Sequence, residues 1–235
     1  MEERVIEKLV EKVRSYSVEL WKHSLGVFNI SLVLACRMQL GAGERKNIAI
    51  GALLHDLGKT RISPAIINKA GQLAAEEWME VKLHPGYGAG ILAGYGCLQA
   101  VVPLVLYHHE RWDRRGYLGR RGTETPLGAR VIAVADAIDA MTSHRPYRKA
   151  KGMREVVREL QKGRSSQFDP LLVDLVLAGR QPAGHSGQWK RAGQSARVCE
   201  KENWPDCLLK TYQDISNLLV YGWDNFLEQL AAFQR

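Results

Sequence analysis

Apolar residues recur every three or four positions along most of this chain and nowhere alternate with a period of two. Val5, Ile6, Leu9, Val10 and Val13 begin the pattern, and Leu20, Val27, Ile30, Leu34 and Met38 carry it to about Leu40. That spacing places the apolar side chains on one face of an α-helix, whereas a half-buried strand would need strict alternation. The fold class expected is therefore all-α, with helices burying their stripes against one another. Tyr16 and Ser17 mark a break between two helices, and Gly41 and Gly43 end the second. Further helices are expected from Gly43 to Leu57 with Gly58 as a stop, from Ala74 to Leu83, and from Leu98 to Arg111 with Pro103 near its start or at a kink. Three more are expected from Leu127 to Met141, Gly152 to Leu160 and Pro170 to Leu177. Gly86 to Gly90 reads as a short glycine-rich stretch, and Arg114 to Gly122 as a loop.

The composition changes near Gly179. Gln181 to Trp204 is rich in Gly, Gln, Ser and basic residues, as linkers are. Asp206 then offers an N-cap for a last helix. Its stripe is Leu208, Tyr212, Ile215, Leu219, Trp223, Phe226, Leu230 and Phe233. The division expected is a domain over 1–180, a linker over 181–204 and an amphipathic C-terminal helix over 205–235. Such a stripe must be covered, either by the chain's own domain or by a second copy or protein partner. With 235 residues, 46% of them hydrophobic, there is material for one sizeable core and an appendage.

The formal net charge is +8. A basic surplus suits an anionic partner, and it equally serves solubility. Nucleic acid is a weaker option, because the basic residues are spread over several loops without a reading motif. The glycines at 86–90 are not a phosphate loop, since no Lys-Ser or Lys-Thr follows them. Cys36, Cys97, Cys199 and Cys207 are scattered without a CxxC pair, which argues against a disulfide framework or a zinc–thiolate site. The charged N-terminus does not read as a signal peptide. The longest apolar run, Leu98 to Tyr107, is interrupted by Gln99 and Pro103 and is about half of the roughly 20 residues a spanning helix needs. A cytoplasmic setting is expected.

Chemistry concentrates in a few residues. Of the seven histidines, His23, His55, His84, His108 and His109 keep unusual company. His55 is followed by Asp56 within Ala-Leu-Leu-His-Asp-Leu-Gly-Lys, and His108-His109 is followed by Glu110. Asp136 lies within the apolar run Val-Ile-Ala-Val-Ala-Asp-Ala-Ile-Asp-Ala. A lone histidine on a helix is usually a core or surface residue. An ionised carboxylate in an apolar helix costs several kcal/mol unless paired or metal-bound. Helices that bring Asp56 and Asp136 together with imidazoles around a cation resolve that cost. Nitrogen and oxygen donors without thiolate suit Fe, Mn or Zn better than Ca or Mg. Glu19, four residues before His23 on the same face, either joins the cluster or lies exposed beside Lys22.

The ordered set of His23, His55-Asp56, His84-Pro85, His108-His109-Glu110 and Asp136 resembles the HD-GYP family. So do His-Asp-Leu-Gly-Lys at 55–59, Arg-Pro-Tyr-Arg at 145–148 and Gln-Phe-Asp-Pro at 167–170. The resemblance covers roughly residues 17 to 180. It implies an HD-domain helical bundle with two or three divalent metal ions, Fe or Mn favoured, that cleaves cyclic di-GMP to pGpG or GMP. It also implies that His23, His55, Asp56, His84, His108, His109 and Asp136 are metal ligands, with Asp56 bridging two ions and Glu19 matching the carboxylate that accompanies a third. Lys59 matches a lysine at the reacting phosphate, Arg145 and Arg148 match basic substrate-binding positions, and Asp139 matches a supporting or substrate-side carboxylate. For the two arginines a solvated basic face is the other reading, since Lys149, Lys151 and Arg154 follow. The implied chemistry is sound, because paired cations activate water and clamp a phosphodiester for in-line displacement.

The chain departs from the family after the His-His-Glu motif. It reads Asp113-Arg-Arg-Gly-Tyr-Leu-Gly119, with Leu118 in place of the proline of Gly-Tyr-Pro and Arg114 where glycine is usual. A different loop backbone is expected, since proline fixes φ and glycine permits positive φ. Arg114, Arg115, Arg120 and Arg121 make the loop either an electrostatic guide for an anion or a solvated segment. The leading expectation is a cyclic di-GMP phosphodiesterase. The alternatives are an HD-class hydrolase of another nucleotide or phosphoester, and a non-catalytic nucleotide-sensing regulator.

Overall fold

Ser17 both ends the first helix and starts the second. Its extended backbone breaks the helical path, and its hydroxyl accepts the Leu20 amide at 3.2 Å. The computed structural model describes residues 2–69, 71–143 and 149–177. Arg145, Arg148, the linker expected over 181–204 and the helix expected over 205–235 lie outside the described residues.

Helix α1 (Glu2–Tyr16) buries Ile6, Leu9 and Val13, the expected stripe. Helix α2 (Val18–Arg37) carries His23, and α3 (Ala42–Leu54) is buried without a break from Ile48 to Leu54. The short α4 (Pro64–Ile67) and α5 (Ala75–Lys82) follow, then α6 (His84–Ala93) and α7 (Val102–Leu106). The long α8 (Leu127–Thr142), α9 (Met153–Gly163) and α10 (Pro170–Leu177) complete the described fold. Among the described residues the only β-type pairing is an isolated bridge between Arg164 and Phe168. None of the described helices is long and apolar enough to cross a membrane.

Helix α2 packs against both α3 and α8, which also touch each other. Phe28, Ile50, Leu53, Leu54, Ile132 and Ile138 fill the space between them and are fully buried. Dense apolar packing of this kind holds the three helices at fixed rotation about their axes. His23, Asp56 and Asp136 therefore enter the interior from three directions.

Three boundaries differ from the sequence reading. Helix α3 stops at Leu54 instead of Leu57, and the chain tightens into a 3-10 turn over Leu57–Arg61, closed by the Lys59 amide on the Asp56 carbonyl at 2.9 Å. Gly58 is part of that turn, not a helix stop. A Cβ at Gly58 would lie 1.9 Å from the His84 carbonyl oxygen and 2.6 Å from the Gly88 nitrogen. Its missing side chain lets the turn sit directly on α6. The glycine stretch 86–90 is helical, with Pro85 in the first turn where no amide donor is needed. Finally, the helix expected from Leu98 to Arg111 is only Val102–Leu106. Pro103 has no amide to offer a helix reaching back to Leu98, so a separate 3-10 turn covers Gly96–Leu98. His108 and His109 consequently lie beyond α7.

Gly58→Ala should lower the free energy of unfolding in urea by about 2 kcal/mol, since the new methyl group meets backbone that has no room to retreat. An unchanged denaturation midpoint would show that the turn and α6 can separate freely.

Candidate metal centre

Four histidines are oriented by one device. The Nδ1 atoms of His55, His84 and His108 donate to the carbonyl oxygens three residues earlier, those of Ala52, Val81 and Val105, at 2.8, 2.7 and 2.7 Å. His23 donates from Nδ1 to the Asp139 carboxylate at 2.6 Å. With Nδ1 committed to the outer partner, Nε2 is the atom each ring turns to the interior. Asp139 reaches His23 only because residue 26 is glycine, where a Cβ would stand 1.8 Å from the Asp139 Oδ1.

The rings converge in two groups whose donor atoms lie close enough to share an ion: His84 with His108 and His109, and His23 with His55 and Asp56. Asp56 joins them. Its Oδ1 is 3.1 Å from His84 Nε2, and its Oδ2 is 3.3 Å from His55 Nε2 and 3.8 Å from His23 Nε2. Asp136 Oδ1 lies 3.0 Å from His23 Nε2, at the more accessible edge of the cluster. Asp56, His55, His84 and His108 are each about 1% exposed.

This donor set fits divalent cations. His55 Nε2 and Asp56 Oδ1 are buried without a hydrogen-bond partner, a costly arrangement unless something cationic satisfies them. His84 Nε2 and His108 Nε2 face each other at 3.3 Å although both rings have their Nδ1 protons directed elsewhere. Two lone pairs so placed repel, and a cation between or beside them removes the repulsion.

The protonation equilibria of the metal-free centre follow from burial and these contacts. Burial opposes the charged form of His23, but hydrogen bonds to Asp136 and Asp139 and the charges of Asp136 and Asp56 outweigh it and raise the pKa from 6.5 to about 9. Burial drives His109 the other way, to about 4, and holds His108 well below the usual histidine range. Burial alone would keep Asp56 protonated, but the Lys59 charge, then His55 and His84, push it well below the ordinary carboxylate range. His23, by hydrogen bond and charge, does the same for Asp136 against its burial.

The remaining expected site residues fall in different places. Lys59 Nζ contacts Asp56 Oδ2 at 2.6 Å and is partly exposed, so its charge lies at the mouth of the cluster. Asp139 supports His23 from behind. Glu19 is exposed and pairs with Lys22 at 3.2 Å, and it belongs to neither ligand group. This is the exposed alternative of the two that the sequence offers, and helix periodicity alone cannot say which way a residue at the start of α2 faces.

Other contributors were not singled out from sequence. Glu110 is buried, and its carboxylate accepts the backbone amides of Leu118 at 2.6 Å and of Arg120. It thereby folds the loop back so that Tyr117 packs on His109, ring centres 4.8 Å apart. The Leu118 amide is one that proline could not supply. At Arg114 the backbone takes φ 72°, the left-handed conformation suited to the glycine the family prefers. An arginine holds that conformation at a cost of about 1–2 kcal/mol. Its side chain donates to the Gly119 carbonyl at 3.0 Å. The only sequence signal for Glu110 was its place next to two candidate ligands.

Comparison with known proteins identifies the fold. The HD domain family matches residues 4–172. The chain belongs to the HD domain family. Among curated relatives, a cyclic di-GMP phosphodiesterase response regulator, RpfG, of Xanthomonas campestris pv. campestris is 37% identical over 155 residues, covering 65% of this chain and 41% of the relative. A 3'3'-cGAMP-specific phosphodiesterase 2 of Vibrio cholerae is 32% identical over 176 residues, 74% of this chain and 34% of the relative. The chain therefore spans less than half the length of either. In fold, the HD domain of the L. monocytogenes phosphodiesterase PgpH, solved with cyclic-di-AMP, superposes with a TM-score of 0.52 at 16% identity, over 84% of this chain and 100% of that one. The Bdellovibrio bacteriovorus HDG"Y"P protein Bd1817 gives 0.56 at 21%, over 68% and 51%.

Two outcomes are expected of the metal-free HD domain. Its stability should rise from pH 4 to 6.5, where the unfolded chain binds protons that His108 and His109 refuse, and fall from pH 6.5 to 9 as the proton on His23 is lost. The upper limb is worth up to about 3 kcal/mol, and chemical denaturation across that range measures it. Glu110→Ala should cost about 2–3 kcal/mol by leaving two loop amides without their acceptor, read from the same denaturation curves at pH 7.

Proposed function

We propose that this HD domain is a metal-dependent phosphodiesterase that hydrolyses cyclic di-GMP to pGpG or GMP with two divalent ions, Fe or Mn. The observation that carries the proposal is Asp56, buried between two histidine groups and turning one oxygen to each. His23, His55, Asp56 and Asp136 would hold one ion, and His84, His108, His109 and the other oxygen of Asp56 the second. The naming of RpfG as a cyclic di-GMP phosphodiesterase supports the substrate class. The 3'3'-cGAMP-specific relative keeps a hybrid cyclic dinucleotide as the second reading.

When bound, the ions supply a water of lowered pKa and positive charge for the phosphate oxygens. The chain does the rest. Asp139 holds the His23 ring so that its Nε2 faces the centre. The carbonyls of Ala52, Val81 and Val105 do the same for the imidazoles of His55, His84 and His108. Lys59 stands at the mouth with its ammonium group on Asp56, where it can turn to a phosphate oxygen as negative charge builds there. Burial keeps His108 and His109 unprotonated near neutrality, which leaves a ring nitrogen of each free to act as a donor.

The test is turnover of cyclic di-GMP and 3'3'-cGAMP by protein purified without air and loaded with Mn or Fe, with products separated by chromatography. Linear dinucleotide or mononucleotide should form, cease on chelation and return on adding Mn. Lys59→Ala should lower kcat by about 10²–10³-fold with the metal content unchanged. Asp139→Asn should weaken Mn binding by about 10–100-fold. Stoichiometric Mn uptake with both dinucleotides left intact would replace the hydrolase reading with a sensing one.

A further inference from the structure

Helix α5, like the short α4, buries none of its residues, and it is the longer of the two and carries large apolar side chains. Trp78 is 46% exposed, and Met79 and Leu83 are more exposed still. An apolar patch on a surface helix needs a reason, and its position supplies one. The α5 end leads directly into His84, whose Nδ1 donates to the Val81 carbonyl. Lys82 Nζ lies 5.7 Å from the centre of the Trp78 ring and 5.5 Å from that of Tyr117. Tyr117 in turn packs on His109. Trp78, Lys82, Tyr117 and His109 thus form a continuous series from an open aromatic surface to the candidate metal ligands, with one cation in the middle.

We propose that Trp78 is the stacking wall for a purine of the cyclic dinucleotide, with Lys82 beside it to meet a phosphate of the same molecule. The proposal rests on the hydrolase reading of the centre and adds the surface that selects the substrate. A cyclic dinucleotide is a flat-faced base joined to an anionic ring. An indole face next to an ammonium group complements both parts at once. A protein partner would be served by the apolar residues alone. The cation between two rings, on the path to the centre, favours the nucleotide. Leu118, which follows Tyr117 on the loop, is 56% exposed.

The experiment is steady-state hydrolysis of cyclic di-GMP by the Mn-loaded full chain and its Trp78 variants. Trp78→Ala should raise KM about tenfold, with kcat and Mn affinity within twofold of the parent, and Trp78→Tyr should restore KM. Nucleotide should also quench tryptophan fluorescence in the parent, and that component should vanish in Trp78→Phe. A KM unmoved in Trp78→Ala overturns the proposal, as does a fall in kcat together with weakened Mn binding, which would mean that α5 only props His84. A change of oligomeric state on size exclusion with KM unmoved would assign the patch to a second copy. If the parent turns over no cyclic dinucleotide, the hydrolase reading fails by itself, and the wall is then judged by fluorescence: quenching lost in Trp78→Phe sustains it, and no quenching in the parent removes it.

Discussion

Everything in this structure that bears on chemistry depends on burying the Asp56 carboxylate in its charged form. Alone, such a group inside helical packing would take up a proton or unfold its surroundings. Here Lys59 and the converging imidazoles hold it ionised. Its two oxygens then define two adjacent donor sets, one for each histidine group. The surrounding helices are arranged so that neither oxygen is wasted: α6 delivers His84 to one, while α2 and the end of α3 deliver His23 and His55 to the other.

Close backbone approach makes this possible. The 3-10 turn after Asp56 rests on α6 at Gly58, and Asp139 of α8 rests on α2 at Gly26. In each case a methyl group would push a candidate ligand or its supporting partner out of position. The outward Nδ1 atoms of His23, His55, His84 and His108 are held by backbone or carboxylate oxygen, so the orientation of these rings follows from the fold and not from the ion. A centre arranged in this way loses little entropy when cations bind, because rotamers and tautomers are already selected.

The loop after His109 shows how a departure from a family motif can be absorbed. Leu118 cannot fix its backbone as proline does, but its amide donates to buried Glu110. Arg114 pays the strain of a left-handed conformation that glycine would adopt freely. The outcome is a loop that presses Tyr117 on His109. The loop is held by the Glu110 carboxylate and by the Arg114 side chain on the Gly119 carbonyl, and so held it lies against the centre.

By itself the sequence determined the all-α class, the break at Ser17, the limits of α10 and the histidines and aspartates that the fold gathers into one cluster. Those features are local: helical periodicity follows from 3.6 residues per turn, and a carboxylate in an apolar run must find a partner somewhere. The early end of α3, the helical state of the 86–90 stretch and the shortness of α7 were decided by tertiary packing, since glycine and proline signals acquire meaning only from the backbone they meet. The same holds within the site. Helical periodicity alone could not separate Asp139, which orients a ring, from Asp136, which faces the cluster, although the family resemblance gave them different roles, nor could it tell that Glu19 turns to solvent and Glu110 inward. Which oxygen meets which nitrogen is a matter of a few ångströms between helices far apart in the chain, and only the packed core sets distances on that scale.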